Sequence, residues 1–434
     1  MTCSMRFGIG NHEDKIRMIK TCSGAKGGST MRISVRYQIC KCLTLSMALL
    51  FIIPLQIKAQ PQKELDKALS STLRFGSYAE VKALLEAGAN PNMGWDTAIR
   101  EGKIDNIRTL IQAGADVNHK NKSGDTPLIQ AYLHPKIIKI LIEAGADVNV
   151  KNNAKDNIGD TPLIRAARWG RVPSDCLEIV RELTQAGAEV NVRTKYGKTP
   201  LMMIVDGGYN EPLIIKELVK AGADVNARDD KGMTALSKAF LSTAFSPGKI
   251  KTIQVLIDAG ADVNVMSDDC ISTVRPILIA FIENSATDKK NNFETAKILI
   301  NAGADINATD SLGKTALMAA AKSKKLEDIA ELILSKKPDL RIKDASGRTV
   351  LMHAAYGGSP NIVRGLISAD IIDINDKDQD GKTALIYAAE RGHSAIVNIL
   401  LDAGANKNIE DNKGKTALIY AAIKNHPEIV QMLK

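Results

Sequence analysis

One phrase recurs along this chain and restricts its fold more than any other feature. Leu84-Leu85-Glu86-Ala87-Gly88-Ala89-Asn90 returns in shortened form at Ala113-Gly114-Ala115-Asp116, and again from Ala144, Ala186, Ala221, Ala259, Ala302 and Ala403. A second phrase alternates with it, as in Gly124-Asp125-Thr126-Pro127-Leu128, Gly159-Asp160-Thr161-Pro162-Leu163 and Gly381-Lys382-Thr383-Ala384-Leu385. Its threonines stand at 126, 161, 199, 234, 315, 349, 383 and 416, and the last three steps are 34, 34 and 33 residues. A chain of 434 residues exceeds what one compact core holds. Self-similarity at a fixed period makes it a row of like units.

The phrase can be read physically. Thr161 is placed to cap a helix, and Pro162 suits the first helical position, where no amide partner is lost. Leu163, Ala166 and Ala167 then share one helical face, and the two alanines let neighbouring helices approach closely. Ile179, Val180 and Leu183 form the apolar face of a second helix. Gly187 ends it by entering the left-handed region cheaply. The polar stretch 191–198 forms a projecting hairpin with Gly197 at its turn. No such unit buries its own apolar face, so the units stack. Aromatic residues are only 4% of the chain, which suits thin helices filled by Ala, Leu and Ile at many similar interfaces.

The Thr-Pro-Leu-x-x-Ala-Ala and Ala-Gly-Ala-Asp-Val-Asn phrases, at a period near 33, resemble the ankyrin repeat, over roughly residues 62–434. The resemblance implies an all-α fold, an α-solenoid of helix-turn-helix units with short β-hairpin loops, and a function in protein–protein binding. About eleven units fit between 60 and 434. The second is degenerate, because Asn92 runs almost directly into Trp95-Asp96-Thr97-Ala98. So is the seventh, with Arg275-Pro276-Ile277 in place of the Thr-Pro-Leu phrase. In the eighth, Ser335-Lys336-Lys337-Pro338-Asp339 replaces the glycine turn. Insertions at Arg171–Cys176, Ser242–Lys249 and Glu283–Asn292 fall between paired helices, and Asn152–Asp156 falls in a hairpin. The last unit stops inside its second helix and serves as a C-terminal cap.

The net charge of +9 is unevenly spread. Residues 1–59 hold nine basic and two acidic residues, whereas 60–434 hold 49 and 47. The array is nearly neutral, which argues against nucleic acid as the ligand. Residues 31–59 read as a signal peptide or a membrane anchor. Met31, Arg32, Arg36 and Lys41 give a basic, acid-free start. Leu43–Leu55 is apolar, and Ala59 offers a small residue before a cut at Gln60. Thirteen helical residues rise about 20 Å, short of the roughly 30 Å hydrocarbon core, and Pro54 interrupts them. Cleavage is the preferred reading, although Ile57 is large for its place; an uncleaved anchor is the alternative and a buried core helix the third. Residues 1–30 are read as an upstream extension without regular structure, with translation starting at Met31. Export implies a periplasmic or secreted protein. Cys3, Cys22, Cys40 and Cys42 precede residue 43, and Cys176 and Cys270 fall three units apart, too far for a disulfide.

Candidate chemistry is absorbed by the repeat. Gly-Lys-Thr begins at Gly197, Gly313, Gly381 and Gly414, but a phosphate loop needs a glycine five residues earlier. Those places hold Val192, Ala308, Asp376 and Ile409. Asp376–Gly381 imitates the start of a calcium loop, yet its twelfth position is Tyr387 instead of Glu. His12, His119, His134, His353, His393 and His426 show no metal spacing. No enzyme, cofactor or metal is expected. In the family, His353 takes a place where imidazole commonly bonds to backbone, and Tyr387 and Tyr420 stand there in later units. The family's concave surface comprises the hairpin tips and the positions seven and eight residues after Thr. These give Arg168 and Trp169 after Thr161, Tyr356 after Thr349, and Glu390 and Arg391 after Thr383. The tips give Lys195, Tyr196, Leu312, Arg348 and Gln379. Trp169 is the foremost candidate anchor, since Trp, Tyr and Arg dominate interface energies; packing on the loop at 171–176 is its structural alternative. The expected partner is one or more proteins bound by a monomer, with a membrane involved only if the leader is uncleaved. Alternatives are a membrane-anchored scaffold, an exported effector acting on a host protein, and an enzyme or nucleotide-binding protein built on the inserted loops.

Overall fold

The computed structural model describes residues 3–9, 16–22, 33–34 and 61–434, apart from 153–158, 170–172, 208–210, 242–247, 269–273, 285–288 and 370. The leader read over 31–59 lies outside the described residues except at Ile33–Ser34. The four insertions lie partly outside them. Strands β1 (Cys3–Ile9) and β2 (Ile16–Cys22) pair antiparallel, and β3 (Ile33–Ser34) lies beside β2. Strands β1 and β2 stand in the segment 1–30 read as an extension without regular structure, and β3 stands in the leader. The alternation of Cys3, Met5, Phe7 and Ile9 with polar or small residues suits a strand.

From Gln62 the helices come in pairs. They are α1 (Gln62–Phe75) with α2 (Tyr78–Glu86), α3 (Trp95–Arg100) with α4 (Ile104–Gln112), α5 (Pro127–Gln130) with α6 (Pro135–Glu143), and α7 (Pro162–Trp169) with α8 (Pro173–Gln185). Next come α9 (Pro200–Asp206) with α10 (Pro212–Lys220), α11 (Ala235–Leu241) with α12 (Gly248–Asp258), and α13 (Ile277–Asn284) with α14 (Lys289–Asn301). The array closes with α15 (Ala316–Ala321) and α16 (Glu327–Ser335), α17 (Val350–Gly357) and α18 (Pro360–Ile367), α19 (Ala384–Arg391) and α20 (Ser394–Asp402), and α21 (Ala417–Ile423) and α22 (Pro427–Leu433). Each first helix touches its own second helix and the next first helix, and each second helix touches the next second helix. This is an all-α repeat solenoid.

The threonines act as read. Thr126, Thr161, Thr199, Thr315, Thr349, Thr383 and Thr416 each accept the N–H three residues on, at 3.3–3.5 Å. Behind each cap the apolar face is closed. In the α7–α8 unit Leu163, Ile164, Ala166, Ala167, Ile179, Val180 and Leu183 are all buried, and each larger side chain contributes roughly 1.5–3 kcal/mol. Gly187 stands at φ +86° with open space where a Cβ would lie, so it is kept for its backbone conformation and not for want of room. Lys337 takes the equivalent turn in the eighth unit at φ 55°.

The hairpins are held mainly by side chains. Only β4 (Met266–Asp268) and β5 (Val274–Pro276) form a strand pair within the array, with one isolated bridge at Thr309 and Thr315, among the described residues. Elsewhere an Asp closes the loop: Asp344 Oδ1 accepts the N–H groups of Ser346 and Arg348, both at 2.9 Å. Asp310, Asp378 and Asp411 do the same.

Asparagines tie one unit to the next. Asn191 Oδ1 accepts from Asp224 N at 2.7 Å, and its Nδ2 donates to Gly222 O at 2.9 Å. Asn226 does the same to Asp262 and Gly260. The Oδ1 bond recurs from Asn92, Asn118, Asn149, Asn264, Asn307 and Asn375. Arg341 stands where the next asparagine would, and it turns back onto its own Asp339 instead. An exposed pair of that kind contributes little. Arg341→Asn is therefore expected to add a rung toward Asp373 and raise Tm by roughly 1–2 °C. A thermal melt of the variant beside the parent checks this.

Candidate functional site

The concave-surface candidates fall at the C-terminal ends of the first helices and at the hairpin tips, and they divide into two sets. Arg348, Tyr356, Glu390 and Arg391 come together around one cavity of about 610 Å³. Lys322, Lys382, Tyr387, Lys424 and His426 also line it. Arg168, Trp169, Lys195, Tyr196, Leu312 and Gln379 do not.

The cavity rests on a buried carboxylate at each hairpin. Nine residues after the loop Asp, the first helix returns a side chain to its second oxygen. Tyr387 donates its hydroxyl to Asp378 Oδ2 at 2.6 Å, and Tyr420 donates to Asp411 Oδ2 at 2.6 Å. Burial and the adjoining carboxylate push both phenols above their ordinary value. They stay neutral donors. His353 contacts Asp344 Oδ2 at 2.9 Å through Nε2. A carboxylate only accepts, so Nε2 carries the proton. The expected backbone bond of His353 is thus replaced by a side-chain bond, because the loop Asp presents its second oxygen to the ring while its first closes the hairpin. In the sixth unit Lys238 takes the same place, 2.7 Å from Asp229.

His353 makes this device sensitive to pH. Burial holds its ring below the ordinary 6.5, against the pull of Asp344. The unfolded chain therefore takes up the proton first as pH falls through 6.5. Stability is full above that value and drains away until the folded-state pKa is passed. For Asp344, burial acts to raise the carboxyl, but the Arg348 N–H, His353 and the Ser346 N–H outweigh it and leave it low. Its contribution is present above the ordinary 3.8 and is lost as pH falls through the lower folded value. His353→Tyr copies the tenth and eleventh units. It is expected to flatten the loss of Tm between about pH 7 and pH 5, leaving the shares of His134 and His393, which burial also depresses.

Above this floor the walls are aromatic and cationic. Tyr356 meets Tyr387 edge to face, with centroids 6.2 Å apart. The Arg391 guanidinium lies 4.2 Å over the Tyr356 ring. Lys382 bonds Glu390 at 2.7 Å and lies 4.5 Å over the Tyr420 ring. Arg348 Nε is 3.8 Å from Asp378 Oδ2. His393 and His426 pack across units: their Nε2 atoms meet the carbonyls of Tyr356 at 3.2 Å and Glu390 at 3.3 Å. Both are inter-unit clasps.

Of the remaining candidates, Arg168, Gln379, Lys195 and Tyr196 have local partners. Arg168 is bonded to the buried Asp160 at 3.0 Å, within a group that also holds Arg165 and Asp125. Gln379 donates to Ala345 O at 2.9 Å and so joins two hairpins. Lys195 Nζ lies 5.0 Å over the Tyr196 ring. Trp169, Tyr196 and Leu312 are 45%, 60% and 48% exposed. Of the loop at 171–176, the structural alternative for packing of Trp169, residues 171–172 lie outside the described residues.

Of the four Gly-Lys-Thr lysines, Lys198 pairs with Asp206, Lys314 with Glu283 and Lys382 with Glu390, and Lys415 lies 5.7 Å over the Tyr420 ring. In the calcium-like stretch both oxygens of Asp378 are engaged within the hairpin and by Tyr387. Among the described residues no group of His, Cys, Asp and Glu could hold a metal ion, and no helix is long and apolar enough to cross a membrane. Burial pushes the Cys176 thiol up to about 11, so it is unreactive at neutral pH.

Paired helices in register, Asp-closed hairpins and an aromatic-cationic edge define a repeat solenoid of the protein-binding class. The family model for ankyrin repeats matches residues 95–194, 172–267, 284–378 and 371–434. The chain belongs to the ankyrin-repeat family, whose members generally bind proteins. Two curated relatives are similar to parts of it. The ankyrin repeat protein YahD of Escherichia coli (strain K12) is 27% identical over 153 residues, 33% of this chain and 75% of the relative. Cyclin-dependent kinase 4 inhibitor B of Rattus norvegicus is 27% identical over 129 residues, 29% of this chain and 90% of the relative.

Lys322, Lys382, Lys424 and His426 were not singled out from sequence. A signal existed for two of them. Counting seven from Thr315 reaches Lys322, and counting eight from Thr416 reaches Lys424. Lysine at such a place looks like any solvated surface residue until the cavity is seen.

Proposed function

We propose that this chain is an exported, monomeric, non-enzymatic module of about eleven ankyrin repeats that grips a partner protein through its concave face. One observation carries the reading. Positions seven and eight after the capping threonines hold Trp169, Lys322, Tyr356, Glu390, Arg391 and Lys424 along one edge, while the helix residues just behind them are buried. A preformed surface of that kind binds with little ordering cost. The rat relative is named for inhibiting a kinase, itself a protein target, which agrees with a protein ligand here. The pairing of helices from Gln62 to Leu433 supports the unit count, and the basic-apolar-small pattern of residues 31–59 supports export.

Photocrosslinking from positions 169 and 356 tests the binding face. Capture of a defined protein that is lost in Trp169→Ala and Tyr356→Ala is the expected result. Captured species that both variants leave unchanged would contradict the proposed surface. Fractionation with and without a carbonate wash tells a released protein from a membrane-held one.

A further inference from the structure

We propose that the cavity between the eighth and eleventh units receives an acidic segment of the partner, with a carboxylate side chain seated among Lys322, Arg391 and Lys424. This rests on the protein-binding reading above and specifies the partner's chemistry.

The lining holds five cations, Lys322, Arg348, Lys382, Arg391 and Lys424, against two carboxylates, Asp380 and Glu390. Internal pairing uses up part of this charge: Lys382 is bonded to Glu390, and Arg348 faces Asp378 behind the wall. Lys322, Arg391 and Lys424 make no ion pair among the described residues. A cationic excess therefore remains, although residues 60–434 are nearly neutral in sum. The excess is local, and a concave wall focuses its field.

Arg391 is also pre-ordered. Its guanidinium rests on Tyr356, whose ring is braced by Tyr387. The donor fork is thus offered to a carboxylate with little further loss of freedom. The volume of about 610 Å³ is that of a ligand pocket, wide enough for side chains of an extended segment. Asp380 in the wall opposes a continuous phosphate backbone, which leaves carboxylates spaced along a peptide as the better match.

Fluorescence anisotropy with a short labelled poly-glutamate peptide and the full chain tests this. The wild type should bind the peptide, more weakly as salt is raised. Arg391→Glu combined with Lys424→Glu should weaken binding by at least about tenfold. Lys136→Glu, on a second helix far along the array, should leave it unchanged, and far-UV melts should show all variants folded. If the double variant misfolds, Lys322→Gln with Lys424→Gln should still reduce affinity several-fold. No binding by the folded wild type, equal binding by the charge variants, or binding of a phosphoserine peptide in place of the glutamate one would each overturn the inference. Should the protein captured at positions 169 and 356 bind the double variant undiminished, the binding face stands and the acidic-segment assignment falls.

Discussion

Trp95→Ala is expected to cost about 3–5 kcal/mol, the largest loss from any single side chain in the array. Trp95 is 2% exposed, and its Nε1 donates to Asp116 O at 3.1 Å. It stands in the second unit, where the polar hairpin is missing and the short 3-10 turn Pro91–Gly94 leads straight into α3. The indole fills the space between neighbouring units that such a hairpin would otherwise organise. Truncation leaves a cavity and removes one of the two hydrogen bonds to the Asp116 carbonyl, which keeps the bond from His119 N at 3.0 Å. Units in a solenoid touch only their neighbours, so the damage should stay local. Hydrogen exchange should rise in residues 62–112 and remain at the parent level in 350–433. Trp169→Ala, at an exposed site, should change stability by no more than about 0.5 kcal/mol. A uniform loss of protection along the chain would contradict the one-dimensional account.

Gly357→Ala is expected to destabilise by about 2 kcal/mol or more, against the sign of local preference. Alanine favours a helix over glycine by about 1 kcal/mol. At Gly357, however, a Cβ would lie 2.2 Å from Ala321 O and 2.6 Å from Lys322 C, both backbone atoms of the preceding unit. Backbone cannot swing aside as a side-chain tip does, so α15 and α17 must separate. Gly365 is the control. A Cβ there meets only Leu334 Cδ1 at 3.6 Å, and Gly365→Ala should stabilise by about 0.5–1 kcal/mol. Urea unfolding of the two variants should move in opposite directions. Because Lys322 and Tyr356 flank the contact, Gly357→Ala should also disturb the cavity, whereas Gly365→Ala should not.

These positions mark what the sequence discloses and what it withholds. Thr161-Pro162-Leu163 and Ala186-Gly187-Ala188 announce a cap, a first turn and a left-handed stop, because each depends on residues adjacent in the chain. The repeat array and its paired helices were legible for that reason. The bond from Tyr387 to Asp378 was not: it spans nine residues and exists only once the hairpin has folded back onto the helix. Nor was the close approach at Gly357, which depends on where the previous unit places its carbonyls. The side-chain closure of the hairpins was hidden as well, since a polar stretch such as 191–198 is consistent with either strands or Asx turns. Trp169 is exposed at its place within the unit, whereas Tyr356, at the matching place, is half-buried against the core. Lys322 and Lys424 belonged to the same positions and looked ordinary beside so many other lysines.

The binding face is tested most directly by hydrogen exchange on the complex with the protein captured at positions 169 and 356. Slowed exchange at the ends of the first helices, around Trp169, Tyr356, Arg391 and Lys424, and at the hairpin tips is the expected pattern. Protection confined to the second helices, such as 173–185 and 394–402, would place the partner on the opposite wall and contradict the account.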